Sequence, residues 1–322
     1  MPTRPPPPEW APHAAVWIGF PSHAELWADD LAQAREEVVA FARAVHADGA
    51  GEQVLLVAAD AEAGMAAGEM APFAEIVVEP FGDIWLRDTG PIVGGDGSAR
   101  LFAFNGWGGK FDLPGDDTIG ERLARGMRLP AFRQDWVLEG GALDGDGTGT
   151  VMTTGQCLLN PNRNGGMGRA EIEDRLAADL GFTRVVWLGE GLLHDHTDGH
   201  VDNLARFVAP GVIAVPEATD NDPNWQVYQH ARRDAEAGGL TVVTVPSPGR
   251  ILRDEEIVPA SYMNFYIGNA AVVVPTYGAP NDAAAVEAIG ALFPGRTAVG
   301  LRADAILTGG GSFHCISQQV PA

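Results

Sequence analysis

The chain has 322 residues, 46% hydrophobic and 20% charged, an ordinary globular composition with apolar material enough for a sizeable core. Its net charge of −22 argues against the basic surface that nucleic acid or an anionic membrane requires, and suits either approach by cations or a plain solvated acidic exterior. Two cysteines make no disulfide framework, no run of about 18 apolar residues spans a bilayer, and Met1-Pro2-Thr3-Arg4 with its four following prolines is no signal peptide, so a cytoplasmic location is expected.

Residues 1–13 read as an extended proline-rich lead-in. The apolar run 14–20 predicts a buried strand. Pro21-Ser22 then opens a helix over about 23–46, with Leu26, Leu31, Val38, Val39, Phe41 and Val45 near helical spacing. Strands over 54–58 and 75–78 flank a short helix over 61–70, an α/β rhythm. From residue 92 the elements shorten, with strands at 92–93, 101–104, 136–138, 142–143 and 150–153 separated by Gly, Asp and Asn turns. The segment 143–149 has some look of a calcium loop. It lacks the regular acidic spacing and the closing Glu, and reads as a hairpin turn.

A helix over 169–180 and a strand over 184–188 follow, then strands at 201–208 and 211–215, a helix over 224–238 and a strand over 240–245. Strands at 265–267 and 271–274, a helix over 282–292, a strand over 297–300 and a short strand over 312–317 complete the chain. Strand–strand–helix–strand groups recur without a clear sequence repeat, which suggests one domain over residues 1–322 containing several similar units.

Chemistry-bearing residues gather in a few places. Gly309-Gly310-Gly311 precedes Ser312-Phe313-His314-Cys315, a flexible backbone that can approach a ligand closely beside a thiol. On a strand, alternation puts Phe313 and Cys315 on one face; a lone Cys315 is either a nucleophile or a buried small hydrophobe. In Asp83-Ile84-Trp85-Leu86-Arg87-Asp88-Thr89-Gly90-Pro91, a carboxylate and an indole before a turn can hold a cation, or Arg87 and Asp88 can pair to fix a loop. Glu139 lies at a strand end before Gly140-Gly141, where functional groups gather, or it is a solvated turn residue.

The densest stretch is His194-Asp195-His196-Thr197-Asp198-Gly199-His200-Val201-Asp202-Asn203. At the start of a strand, His200 and Asp202 share a face and suit Cys–His chemistry. The three histidines with the aspartates equally suit a Zn or Mn site, or a capped polar loop. Cys157, ahead of Asn160-Pro161-Asn162-Arg163-Asn164, reads as a packing residue.

Together these stretches resemble the agmatine deiminase family, which also takes in the bacterial peptidylarginine deiminase, within the guanidino-group-modifying pentein superfamily. The resemblance rests on Glu9-Trp10-Ala11-Pro12-His13, Trp85 to Pro91, Glu139-Gly140-Gly141, Cys157 to Asn164, Gly199 to Asn203, Ala260-Ser261-Tyr262-Met263-Asn264-Phe265-Tyr266 and Gly309 to Gln319, in order along the chain. It implies an α/β fold, a five-bladed propeller of ββαβ-type units around a central site. It further implies Cys315 as nucleophile, His200 as general acid/base with Glu139 beside it, Asp88 and Asp202 gripping a guanidinium, and Trp85 flanking the substrate chain.

The resemblance points to agmatine as a small cationic guanidino substrate, with no cofactor, no metal and a homodimer or larger homo-oligomer. Free arginine or a peptidylarginine is the alternative substrate; arginine needs a cation for its carboxylate, and Arg87, Arg163 and Arg253 are the candidates. A metal-dependent hydrolase built on His194, His196 and His200 is an alternative of another class, and a silent cation-binding protein a third. Asp254-Glu255-Glu256 is a candidate contact for the far end of the substrate.

Overall fold

Parallel strands need a long crossover, whereas antiparallel neighbours need only a tight turn. That rule accounts for a unit used five times among the described residues: an antiparallel pair, a helix, and a third strand parallel to the second. The structure is a computed structural model that describes residues 3–218, 221–253 and 255–322.

One unit joins the two ends of the chain. Ser317–Pro321 runs antiparallel to His13–Gly19, which is parallel to Gln53–Ala58 and, beyond it, to Glu75–Val78. The helices Leu31–His46 and Ala61–Met70 make the crossovers. In the next unit Ile92–Val93 and Ala99–Ala103 are followed by helix Ile119–Gly126 and strand Ala131–Val137. Asp144–Gly145 pairs with Thr150–Thr154, so the segment between is the hairpin turn expected there; helix Arg169–Leu180 and strand Arg184–Leu188 follow. The last two units are Arg206–Ala209, Val212–Glu217, helix Trp225–Ala237 and Thr241–Pro246, then Tyr266–Ile267, Ala271–Thr276, helix Asp282–Ala291 and Thr297–Arg302.

The middle strands are near-continuous apolar runs, as strands covered on both faces must be. Val54 to Ala58 and Ala271 to Val274 are all buried. The largest apolar cluster includes Trp17, Phe20, Phe41, Tyr266 and Phe313. No helix among the described residues is long and apolar enough to cross a membrane.

Four local expectations are corrected. The helix over 23–46 is broken into Ala24–Trp27, a tighter turn at Ala28–Asp30, and Leu31–His46. Trp27 is buried at the break, and Asp30 there takes Arg253 and, at 3.2 Å, the hydroxyl of Thr308. Residues 313–316 form a turn, and the strand begins only at Ser317. Phe313 stacks on Phe41 in the core, with ring centroids 4.8 Å apart, so it does not share a face with Cys315 by strand alternation. Residues 201–203 are a 3-10 turn preceding the strand Arg206–Ala209, and Gly140–Ala142 is likewise a 3-10 turn. In the three turns glycine or a run of side-chain-to-backbone hydrogen bonds overrides the apolar alternation. A small hairpin, Leu252–Arg253 with Glu256–Ile257, lies where no element was expected; Asp254 is outside the described residues.

Candidate active site

Pairing of the first and last strands carries Cys315 to the segment that holds Trp85 and Asp88. The Gly19 N–H donates to Ile316 O at 2.9 Å, and the Arg87 N–H to Cys315 O at 3.0 Å. The thiol therefore sits at a turn held against two chain segments, each more than 200 residues away in sequence. Its position is set by Asn264. The Asn264 Oδ1 accepts the backbone N–H groups of Ser312, His314 and Cys315, each at 3.1 Å, while its Nδ2 donates to the Cys315 sulfur at 2.9 Å.

The triple glycine is required sterically. A Cβ at Gly309 would lie 2.2 Å from the Trp85 indole, and one at Gly311 would lie 2.7 Å from it. Gly310 has φ +95 and faces His196. Trp85 in turn donates its indole N–H to Asp83 Oδ2 at 2.7 Å.

Asp88, Asp202 and His200 converge on Gly141. A Cβ there would stand 2.6 Å from His200 Nδ1, 2.8 Å from Asp88 Oδ1 and 3.1 Å from Asp202 Oδ2. Asp88 accepts the Gly141 N–H at 2.9 Å and the Trp107 indole N–H at 2.8 Å. His200 Nδ1 lies 3.7 Å from Asp88 Oδ1. The Cys315 thiol donates to Asp202 Oδ2 at 3.4 Å. His314 bridges the same oxygen to the lead-in, with Nδ1 at 2.7 Å from Asp202 Oδ2 and Nε2 at 2.8 Å from Glu9 Oε2.

Behind His200 lie Glu139 and Cys157, whose ligand-type atoms and those of His200 are all within 4.8 Å of one another. Glu139 Oε1 accepts the Arg163 Nε–H at 2.6 Å, and Arg163 is further fixed by Asp198 Oδ2 at 2.6 Å and Thr197 O at 2.8 Å. Cys157 packs in an apolar cluster with Leu158 and Leu176, as its sequence neighbours suggest, yet it also borders His200.

Burial and charge act against each other here. Burial pushes the Cys315 thiol well up, and the carboxylates of Asp202 and Asp88 push it further. Burial likewise raises Asp88, with His200 pulling the other way. Burial opposes the charge on Asp202 too, but the hydrogen bond and charge of His314 prevail and hold its carboxyl below the usual range. Burial disfavours the His200 imidazolium, but Asp88 and its other neighbours prevail and raise its proton affinity well above the ordinary value. These directions favour the imidazolium at His200 and the neutral thiol at Cys315.

Cys315 opens on a cavity of about 190 Å³ whose walls include Trp85, Asp88, Trp107, Phe111 and Asp83. None of Arg87, Arg163 or Arg253 lines it. Arg87 donates to Gln319 Oε1 at 2.7 Å and has no bond to Asp88, so the loop-fixing Arg87–Asp88 pair is not formed. Arg253 pairs with Asp30, and Arg163 with Glu139. His194 and His196 are exposed whereas His200 is fully buried, and among the described residues the three do not group as metal ligands.

Sequence reasoning quoted Asn264, His314 and Glu9 within longer motifs but assigned them nothing. It missed Trp107, whose backbone is held at φ 54 while its indole reaches Asp88. The one local signal there was Asn105-Gly106-Trp107-Gly108-Gly109, a turn composition without a pointer to Asp88.

The family model described as Porphyromonas-type peptidyl-arginine deiminase matches residues 6–321. An agmatine deiminase from Stutzerimonas stutzeri is 36% identical, with 98% of this chain and 95% of that protein covered. The solved agmatine deiminase of Enterococcus faecalis superposes with a TM-score of 0.92 at 30% identity, covering 99% of this chain and 96% of that one. A C. jejuni agmatine deiminase solved with substrate bound gives 0.89 at 28% identity, covering 99% of this chain and 96% of that one. With the fold and the match along nearly its whole length in agreement, the chain belongs to the agmatine deiminase family, the group that takes in the Porphyromonas-type peptidyl-arginine deiminases.

Proposed function

We propose that this protein hydrolyses agmatine to N-carbamoylputrescine and ammonia, with Cys315 as nucleophile, His200 as general acid and base, Glu139 behind it, and Asp88 and Asp202 holding the guanidinium. The observation that carries the proposal is the convergence of Asp88, Asp202 and His200 on Gly141, with the Cys315 thiol on Asp202. A guanidinium is a planar fork of N–H donors that stays charged near neutral pH, and two carboxylates orient it for attack. The 36% identity to an agmatine deiminase favours agmatine over arginine, and so does a cavity wall that among the described residues carries no arginine or lysine for a carboxylate.

The resting thiol is held protonated by burial and by the two carboxylates. Substrate supplies the missing positive charge and offsets both carboxylates, so the S–H bond ionises, its proton leaves to solvent, and the thiolate forms. Sulfur attacks the guanidinium carbon, forming the C–S bond and a neutral tetrahedral adduct. The His200 imidazolium then protonates the departing nitrogen, and the C–N bond breaks to release ammonia. Neutral His200 takes a proton from water as its oxygen attacks the amidino carbon. As the C–S bond breaks and the C=O bond forms, the remaining hydroxyl proton of the adduct passes to sulfur, leaving the ureido product and restoring the thiol. No step needs a metal or cofactor.

The proposal includes one catalytic domain over residues 1–322, a cytoplasmic location and a homodimer or larger homo-oligomer, with no nucleic-acid partner; the net charge of −22 supports the last point. Ammonia release from agmatine, free arginine and a blocked arginine peptide, with and without iodoacetamide, tests the function. Agmatine-selective release abolished by alkylation is expected. Turnover that survives alkylation removes Cys315 from the reaction, and preferential turnover of arginine replaces the substrate. For Cys315→Ser, turnover falls by about a thousandfold or more while agmatine binding by calorimetry persists.

A further inference from the structure

The cavity above Cys315 holds a second wall carboxylate that the reaction does not use. Asp83 lines it together with Asp88; Leu26, Trp85, Trp107, Phe111 and Leu113 form its apolar part, and His196 is also in the wall. The Asp83 carboxylate is held in place. Its Oδ1 accepts the Ile84 N–H at 2.8 Å and its Oδ2 the Trp85 indole N–H at 2.7 Å. The turn that carries it is fixed as well, because Asp116 Oδ1 accepts the backbone N–H groups of Gly82 at 2.7 Å and Asp83 at 3.1 Å. Among the described residues neither lysine nor arginine lines the cavity beside it.

A carboxylate in a largely apolar cavity, with no lysine or arginine to meet it, is complementary to a positive ligand group. The guanidinium end of the substrate belongs at Asp88 and Asp202, beside Cys315. The far end then extends along Trp85 and Trp107, whose ring faces also favour a cation. A substrate cationic at both ends matches this cavity, and a carboxylate brought toward Asp83 meets like charge.

We propose that Asp83 is a specificity-determining residue that receives the cationic tail of the substrate and selects a terminal ammonium over an uncharged or carboxylate-bearing tail. This rests on the agmatine reading above and extends it to the distal end of the site.

The test compares kcat/KM for agmatine and for n-butylguanidine, which keeps the reacting group and loses the ammonium. Wild-type enzyme prefers agmatine. In Asp83→Asn that preference falls by about tenfold or more, the scale of one lost charge-assisted hydrogen bond. Asp83→Glu, which keeps the charge, retains a preference for ammonium-tailed guanidines and shifts it toward a chain one methylene shorter. If both substrates slow in parallel in Asp83→Asn, or if the two variants keep the wild-type preference and chain length, Asp83 serves only to hold Trp85 and the inference is wrong. Should Asp83→Asn not fold, loss of the ammonium preference in a folded Asp83→Glu variant overturns it equally. Failure of the agmatine reading is a separate result, seen as wild-type enzyme that turns over neither guanidine or favours arginine.

Discussion

Asn264 holds the Cys315 sulfur with its amide nitrogen, at 2.9 Å, while its oxygen gathers three backbone N–H groups of the same turn. One buried amide therefore sets both the path of the turn and the direction of the thiol. Asn264→Ala leaves those donors without their side-chain acceptor and costs at least about 2 kcal/mol of stability. Asn264→Asp keeps the acceptor but sets a negative charge against the sulfur, so the pH at which iodoacetamide reacts at half its maximal rate moves upward. Denaturant titration and alkylation rates read the two effects separately.

Gly141 is the one residue whose missing side chain lets Asp88, Asp202 and His200 meet. In Gly141→Ala a methyl group must displace at least one of them, since real Cβ contacts do not fall below 3.0 Å. The expected loss in kcat/KM for agmatine is about a hundredfold or more, with secondary structure by circular dichroism retained.

Glu9 ties the lead-in to the site. Its Oε2 meets Arg206 at 2.9 Å and His314 at 2.8 Å, and its Oε1 accepts the Ile267 N–H at 2.7 Å. Burial opposes its charge, but Arg206 and His314 prevail and hold its carboxyl well below the usual range. Because the folded-state value is depressed, the stability Glu9 contributes is present above the ordinary carboxylate range and is lost as pH falls through the depressed value. Glu9→Gln leaves Arg206 and His314 short of charge and costs about 3–5 kcal/mol at neutral pH. Activity falls too, because His314 no longer has its anchor opposite Asp202. Urea denaturation and agmatine turnover in the same variant check both.

Asp116 titrates in the opposite sense. Burial pushes its carboxyl from 3.8 up to about 7, against the pull of the Gly82 and Asp83 backbone donors. With the folded-state value raised, its contribution to stability is full below the ordinary value and is lost as pH rises through about 7. In Asp116→Asn that dependence disappears, so the difference in melting temperature between pH 5 and pH 8 becomes smaller than in wild type. An unchanged difference would mean that Asp116 does not carry this proton.

Local pattern determined much of the architecture. The helices Ala61–Met70 and Arg169–Leu180 and the strands Glu75–Val78 and Arg184–Leu188 follow from apolar spacing and end where it ends. The motifs around Asp88, Glu139, His200, Asp202 and Cys315 were legible as chemistry because charged groups stood beside glycine and apolar runs. What the sequence could not carry was direction. Alternation places Cys315 and Phe313 together, and places His200 and Asp202 together on a strand, but both segments are turns held by hydrogen bonds from distant residues, Asn264 for the first and Ser261 for the second. Asn264, Trp107, His314 and Glu9 acquire their positions only when the last strand pairs with the first and the units pack against one another. Periodicity reports which side chains are buried; which buried groups touch is decided by long-range packing, and this site consists of such contacts.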